Sequence, residues 1–152
     1  MSMNKCPYIS GIYCHPYVDS NYVTCSLTYS SFVDNSESIS ICIQFWMGSA
    51  NFEIKSCNIL RNTQDDLNSF GLFYTNGNVK IDDSCILENK ATYTFNIYSS
   101  TMTLSNCTID STAKTGNLII QNAAATSFIH ALNHISTLNC YSKYDAIGYL
   151  TP

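Results

Sequence analysis

The chain's 152 residues suffice for one domain, and a hydrophobic content of 45% gives that domain a core. Only 12% of the residues are charged, about half the ~25% usual in globular domains, so Ser, Thr and Asn must satisfy the surface; together with 11 Tyr and 7 Phe they favour strands and turns over helices. The net charge of −4, with seven Lys and Arg, speaks against nucleic-acid binding and against electrostatic attachment to a membrane, and no stretch approaches the ~20 apolar residues that cross a bilayer.

In chain order, residues 1–15 lack the basic-then-apolar layout of a signal peptide, so no secretion signal or anchor is expected within this sequence. Either the chain is cytosolic or it is a fragment of a longer secreted protein. Residues 1–24, with Pro7, Gly11 and Pro16, read as an irregular or degenerate first coil. Periodicity begins at Cys25. Four eleven-residue segments align without gaps: CSLTYSSFVDN (25–35), FEIKSCNILRN (52–62), VKIDDSCILEN (79–89) and MTLSNCTIDST (102–112). Their first position is apolar or Cys, the third is Leu27, Ile54, Ile81 and Leu104, and the eighth is Phe32, Ile59, Ile86 and Ile109. Positions one and three alternate with polar residues, as a half-buried strand requires, and small or polar residues follow where the chain must turn.

The eleventh position reads Asn35, Asn62 and Asn89, then Thr112. In a solenoid these side chains stack, and amides so stacked can hydrogen-bond along the axis. Charges supply an independent check. In-register stacking sets Glu53 beside Lys80, Lys55 beside Asp82, and Asp34, Arg61 and Glu88 in one column, so every adjacent charged pair is opposite in sign. Between the segments, Ile39, Ile41, Ile43 and Phe45 alternate with polar residues, as do Phe70, Leu72 and Tyr74, and Phe95 and Ile97; Leu118, Ile119 and Ile120 form a shorter run.

Each period thus predicts two short strands in the segment and one after it. The expected fold is all-β: a right-handed parallel β-helix of about four to five coils with three short strands per coil, the hand following from the strong bias of parallel crossovers. A single domain is expected over 1–152, with regular coils over 25–125 and a last strand and cap or linker over 126–152. An antiparallel β-sandwich also has short strands and frequent turns, but it does not account for a shared pattern at nearly constant spacing.

The phrases SCNILRN, DSCILEN and SNCTID, followed by TSFIHALNHISTLNC, resemble the right-handed β-helix surface proteins of trichomonad protists, which are similar in architecture to bacterial polymorphic outer-membrane proteins. The resemblance spans residues 25–140 and lacks the family's secretion and anchor segments. It implies an extracellular or cell-surface location as part of a longer protein, and an adhesive or coat-forming role with a glycan or protein ligand on a host or neighbouring surface. It offers no catalytic residues to carry over.

Candidate chemistry is sparse. A carbohydrate-active β-helix enzyme would need clustered carboxylates, and Asp65–Asp66, Asp82–Asp83 and Asp110 are the candidates; adjacent strand residues point to opposite faces, so solvated turn carboxylates are the simpler reading. His130 and His134 stand four apart with no third ligand nearby in sequence. No G-x-S-x-G, Gly-rich phosphate loop or CxxC occurs. No catalytic, metal-binding or cofactor-binding residue is therefore assigned, no cofactor is expected, and an enzyme is not the preferred reading; a passive spacer is a further alternative. Among the eight cysteines, Cys57 and Cys107 share position six two coils apart, ~9.6 Å from the strand spacing and beyond disulfide reach, and with Cys85 they are expected to be buried thiols. A disulfide is expected at the irregular ends, such as Cys6 with Cys14. Asn106-Cys107-Thr108 is a glycosylation sequon with Asn106 at a turn. Tyr29, Phe73, Tyr74, Tyr93, Phe95 and Tyr98 are candidates to line a binding side of the solenoid.

Overall fold

Alternation of apolar and polar residues over stretches of three to six residues, broken by polar corners, makes strands that bury one face and cannot continue as helices. The computed structural model describes residues 5–6, 11–16, 23–37, 43–46, 50–64 and 70–122, and among them it contains strands and no helix. In chain order the strands are β1 (Lys5–Cys6), β2 (Ile12–Cys14), β3 (Val23–Thr28), β4 (Ser31–Val33) and β5 (Ser36–Glu37). Next come β6 (Ile43–Phe45), β7 (Asn51–Lys55), β8 (Asn58–Leu60), β9 (Thr63–Gln64) and β10 (Phe73–Thr75). The last are β11 (Asn78–Asp82), β12 (Cys85–Leu87), β13 (Phe95–Ser105), β14 (Thr108–Ile109) and β15 (Lys114–Gln121).

Every described strand pair is parallel. One sheet runs β1-β5-β9, a second β4-β8-β12-β14, and the largest follows β2-β6-β10-β13-β11-β7-β3, with β15 on the far side of β13. The long β13 belongs to two strand stacks at once: its first residues pair with β10, its last with β11. In the β3 stack, Cys25, Phe52, Val79, Met102 and Leu118 are register partners, as are Leu27, Ile54, Ile81, Leu104 and Ile120. Phe32, Ile59, Ile86 and Ile109 are partners in the next sheet. These columns, Ile120 excepted, form the core between the sheets together with Ile43, Phe45, Phe73, Phe95 and Ile97.

The corners share one conformation. Tyr29, Ser56, Asp83 and Asn106, at position five of the four segments, all have φ between 48° and 53°; Asp34, Arg61 and Glu88, at position ten, have φ between 53° and 57°. Left-handed backbone costs a non-glycine residue about 1 kcal/mol or more. It persists here because each corner amide is satisfied along the stack: Tyr29, Ser56, Asp83 and Asn106 donate to the carbonyls of Lys55, Asp82, Ser105 and Gln121. Position six follows the first corner and holds Ser30, Cys57, Ser84 and Cys107. Each donates its side-chain hydrogen to the carbonyl two residues back, at 2.9, 3.3, 2.8 and 3.3 Å. Cysteine and serine interchange there because the site asks only for a small donor.

Four details differ from expectation. A two-residue strand, β9, stacks on β5 and is bridged to Lys90, so the repeats that begin with β3 and β7 each carry a fourth short strand after the three anticipated. The alternation Phe70, Leu72, Tyr74 is broken: Leu72 and Phe73 are both buried while Phe70 is exposed, because the chain bends at Gly71, where φ is +91° and a Cβ would lie 2.6 Å from the Tyr93 carbonyl oxygen. The short run at Leu118 belongs to an eight-residue strand, β15, which extends the stack although from Asn117 onward it lies only 16 residues after its partner positions in β13. Cys14 is a free thiol, packed against the core rather than held in a disulfide. Ile39, Ile41 and the cap or linker proposed for 126–152 lie outside the described residues.

Candidate binding face

The asparagine column is continuous. Asn35 Nδ2 donates to Asn62 Oδ1 at 2.7 Å, and Asn62 Nδ2 donates to Asn89 Oδ1 at 2.9 Å. The same oxygens accept the backbone N–H groups of Asn35 and Asn62 at 3.1 and 2.9 Å, and the amides of Asn62 and Asn89 reach back to the carbonyls of Phe32 and Ile59. Asn35 and Asn62 are each 2% exposed, so these groups are turned into the structure and offer nothing to a ligand. Their role is to satisfy the backbone where the second corner leaves the ladder.

The carboxylates are spread out and engaged. Asp82 ends β11 and meets Lys80 at 2.7 Å; Asp83 sits in a corner and accepts from Asn106 Nδ2 at 2.7 Å; Asp110 accepts the Glu88 backbone amide. Asp34 pairs with Arg61 at 2.7 Å, and the guanidinium holds the Asp34 carboxyl below the usual range. Lys80 is the register partner of Glu53 and Lys55 of Asp82, but the close contact is made within β11, between Lys80 and Asp82. Among the described residues no three His, Cys, Asp or Glu side chains group closely enough to hold a metal ion. Asp65, Asp66, His130 and His134 lie outside the described residues.

The thiols are no more reactive. Cys57, Cys85 and Cys107 are free and buried, and burial pushes Cys85 and Cys107 up to about 11 and Cys57 upward as well. Nucleophilic cysteines need the opposite shift. Asn106 of the sequon is exposed at its corner, with its amide nitrogen already committed to Asp83.

What remains is the outer face of the sheet β2-β6-β10-β13. In these strands Ile12, Ile43, Phe73 and Phe95 point inward, so their sequence neighbours Tyr13, Gln44, Tyr74 and Asn96 are register partners on the outside. Two positions further along, His15, Trp46 and Tyr98 continue the same face. Tyr13 is 50% exposed, Phe70 47% and Tyr98 62%, with Trp46 and Tyr74 half-buried between them. Three of these rings touch one another. Trp46 stacks on Tyr74 with centroids 5.3 Å apart, and Phe70 tilts against the same tyrosine at 4.8 Å. Burial raises the Tyr74 phenol above its ordinary range, and the nearby Tyr98 adds to the shift. At one end, the ring of Tyr13 meets His15 edge-on at 6.0 Å, within hydrogen-bonding reach.

Three of the aromatics proposed from sequence to line a binding side do not lie on this face. Phe73 and Phe95 point into the core and stack on each other at 5.4 Å, because their register partners are the inward Ile43 and the core column, not the solvent face. Tyr29, 63% exposed, occupies a corner apart from this sheet. Conversely, Tyr13 and Trp46 belong to this face although they fall outside the eleven-residue segments; the signal for them is the residue parity of β2 and β6, where Tyr13 follows the partly buried Ile12 and Trp46 the buried Phe45. Comparison with protein-family models, with curated proteins and with solved structures finds no match to the chain.

Proposed function

We propose that the chain is a right-handed parallel β-helix whose outward aromatic face contacts a ligand, as a non-enzymatic module of a surface or extracellular protein. All-parallel pairing and the stacking of equivalent positions 27 residues apart support the solenoid, and the hand follows from crossover geometry. The patch of Tyr13, Trp46, Phe70, Tyr74 and Tyr98 carries the functional reading. Exposed and half-buried aromatics on one strand-built face supply a rigid contact surface with polar tips, suited to a neutral glycan or a protein segment. The engaged carboxylates and raised thiols support a binding role over catalysis. Adhesion or coat formation at a cell surface accords with the resemblance to trichomonad surface proteins.

The test is binding of the full chain to an array of neutral and acidic glycans, repeated with Tyr13→Ala/Tyr98→Ala. Both residues project from the surface, so the fold should survive, as circular dichroism would verify. Saturable binding weakened about tenfold or more by the double substitution supports the reading. Binding that is undiminished, or depolymerisation of a glycan lost in Asp82→Ala, overturns it.

A further inference from the structure

We propose that Cys14 and Cys25 form a disulfide under mild oxidation, clipping β2 to β3 at one end of the core. Neither residue belongs to the position-six thiols, which are fully engaged with backbone carbonyls. The register shows why the two meet. Cys14 is the partner of Phe45 and Cys25 is the partner of Phe52. Phe45 and Phe52 stack across the interior at 4.6 Å and 22°. One strand further down, the two cysteines take the places of those two rings, side by side against the core. Both pack against the core yet remain partly exposed, unlike the buried Cys57, Cys85 and Cys107. A small oxidant can therefore reach the pair while the core thiols stay shielded.

The oxidant is a small disulfide of the glutathione type. A thiolate of the pair attacks one sulfur of the small disulfide, forming a mixed disulfide and releasing one small thiol. The second thiolate attacks the protein-bound sulfur, forming the Cys14–Cys25 bond and releasing the other small thiol. Two protein S–H bonds and one S–S bond are replaced by one protein S–S bond and two small-molecule S–H bonds, so electrons balance. Burial and the adjacent Cys25 push the Cys14 thiol up to about 12, so exchange is slow at neutral pH and quickens in base. The bond closes a short loop between consecutive strands of different stacks. It ties down an end strand that has a described neighbour on one side only.

The full chain would be equilibrated with oxidised glutathione, alkylated, digested with pepsin without reduction and mapped by mass spectrometry. Pepsin is needed because no Lys or Arg separates Cys6, Cys14, Cys25 and Cys42. The expected result is a dominant link between the Cys14 and Cys25 peptides, with Tm raised by roughly 5 °C over the reduced chain. That rise should vanish in both Cys14→Ala and Cys25→Ala and persist in Cys57→Ser. Dominant links from either cysteine to Cys6 or Cys42, separate glutathione adducts on both residues, or a link that leaves Tm unchanged would each overturn the proposal. Mapping uses the unsubstituted chain, so a variant that fails to fold does not remove the test.

Discussion

At the scale of single residues, the molecule is governed by hydrogen bonds that each turn must make in the same place. Position six is the clearest case: Ser30, Cys57, Ser84 and Cys107 bond the carbonyl two residues back. Cys57→Ser should therefore change the urea midpoint little, whereas Cys57→Val, of similar size but without a donor, should cost at least ~1 kcal/mol more. Asn62 stands at the centre of its column, as acceptor for Asn35 and donor to Asn89. Asn62→Ala removes both amide links and one to the Phe32 carbonyl in a buried setting, and a loss of about 3 kcal/mol is expected in equilibrium unfolding. The buried thiols also set an alkaline limit. Cysteines of the unfolded chain ionise near ~8.5, while Cys85 and Cys107 keep their protons up to about 11 when folded. Their folded pKa is raised, so their contribution is complete below the ordinary thiol range and is lost as pH rises toward the folded value. Urea midpoints at neutral pH and near pH ~10 should show this decline, and it should be smaller in Cys107→Ser.

At the scale of elements, strand ends are fixed by corners rather than by strand propensity. The left-handed residues recur at positions five and ten whatever their side chain, from Tyr29 to Arg61. A sequence in which Asn or Gly filled every such site would announce its corners; this one does not, and the corners had to be inferred from small and polar residues nearby. Glycine is required at a different place. Between β13 and β15 the register passes from Asn96/Thr115 to Thr101/Asn117, so β15 rounds with Gly116 alone the bend that β13 makes with four residues. Gly116 has φ +71°, and a Cβ there would lie 2.1 Å from the Ile97 carbonyl oxygen. Gly116→Ala should cost ~2 kcal/mol or more and be felt first in β15, measurable as earlier hydrogen exchange of its amides. That shortened bend also explains why β15 was legible only as a short apolar run: the offset drops to 16 residues and breaks the period by which the other strands were found.

At the scale of the whole molecule, strands touch their stack neighbours, and stability is expected to follow position in the stack. β7 and β11 have described partners on both sides and bury Phe52, Ile54, Val79 and Ile81 almost completely. β15 has a described partner on one side, and Ile119 and Ile120 are 41% and 43% exposed. Native-state hydrogen exchange should therefore show the slowest amides in β7 and β11 and faster exchange in β15; uniform protection across the stacks would contradict this ordering.

The sequence by itself determined the stacking register of the eleven-residue segments. Apolar residues at positions one, three and eight can be buried together only if each segment pairs in register with the last, and a slip of one residue would turn Phe52 and Ile54 out to water. It also determined the asparagine column, because a polar residue recurring at a buried corner must bond to its own equivalents. The tertiary structure alone decided which of the aromatics beside Gly71 face outward. Between segments the connections vary in length, so parity cannot be carried across them: the bend at Gly71 turns Phe73 inward and Tyr74 outward, and only pairing with β6 and β13 fixes that choice. It likewise set Cys14 and Cys25 one strand below the stacked Phe45 and Phe52, since those cysteines lie in different strand stacks and are related through the width of the core, a distance that no spacing along the chain encodes.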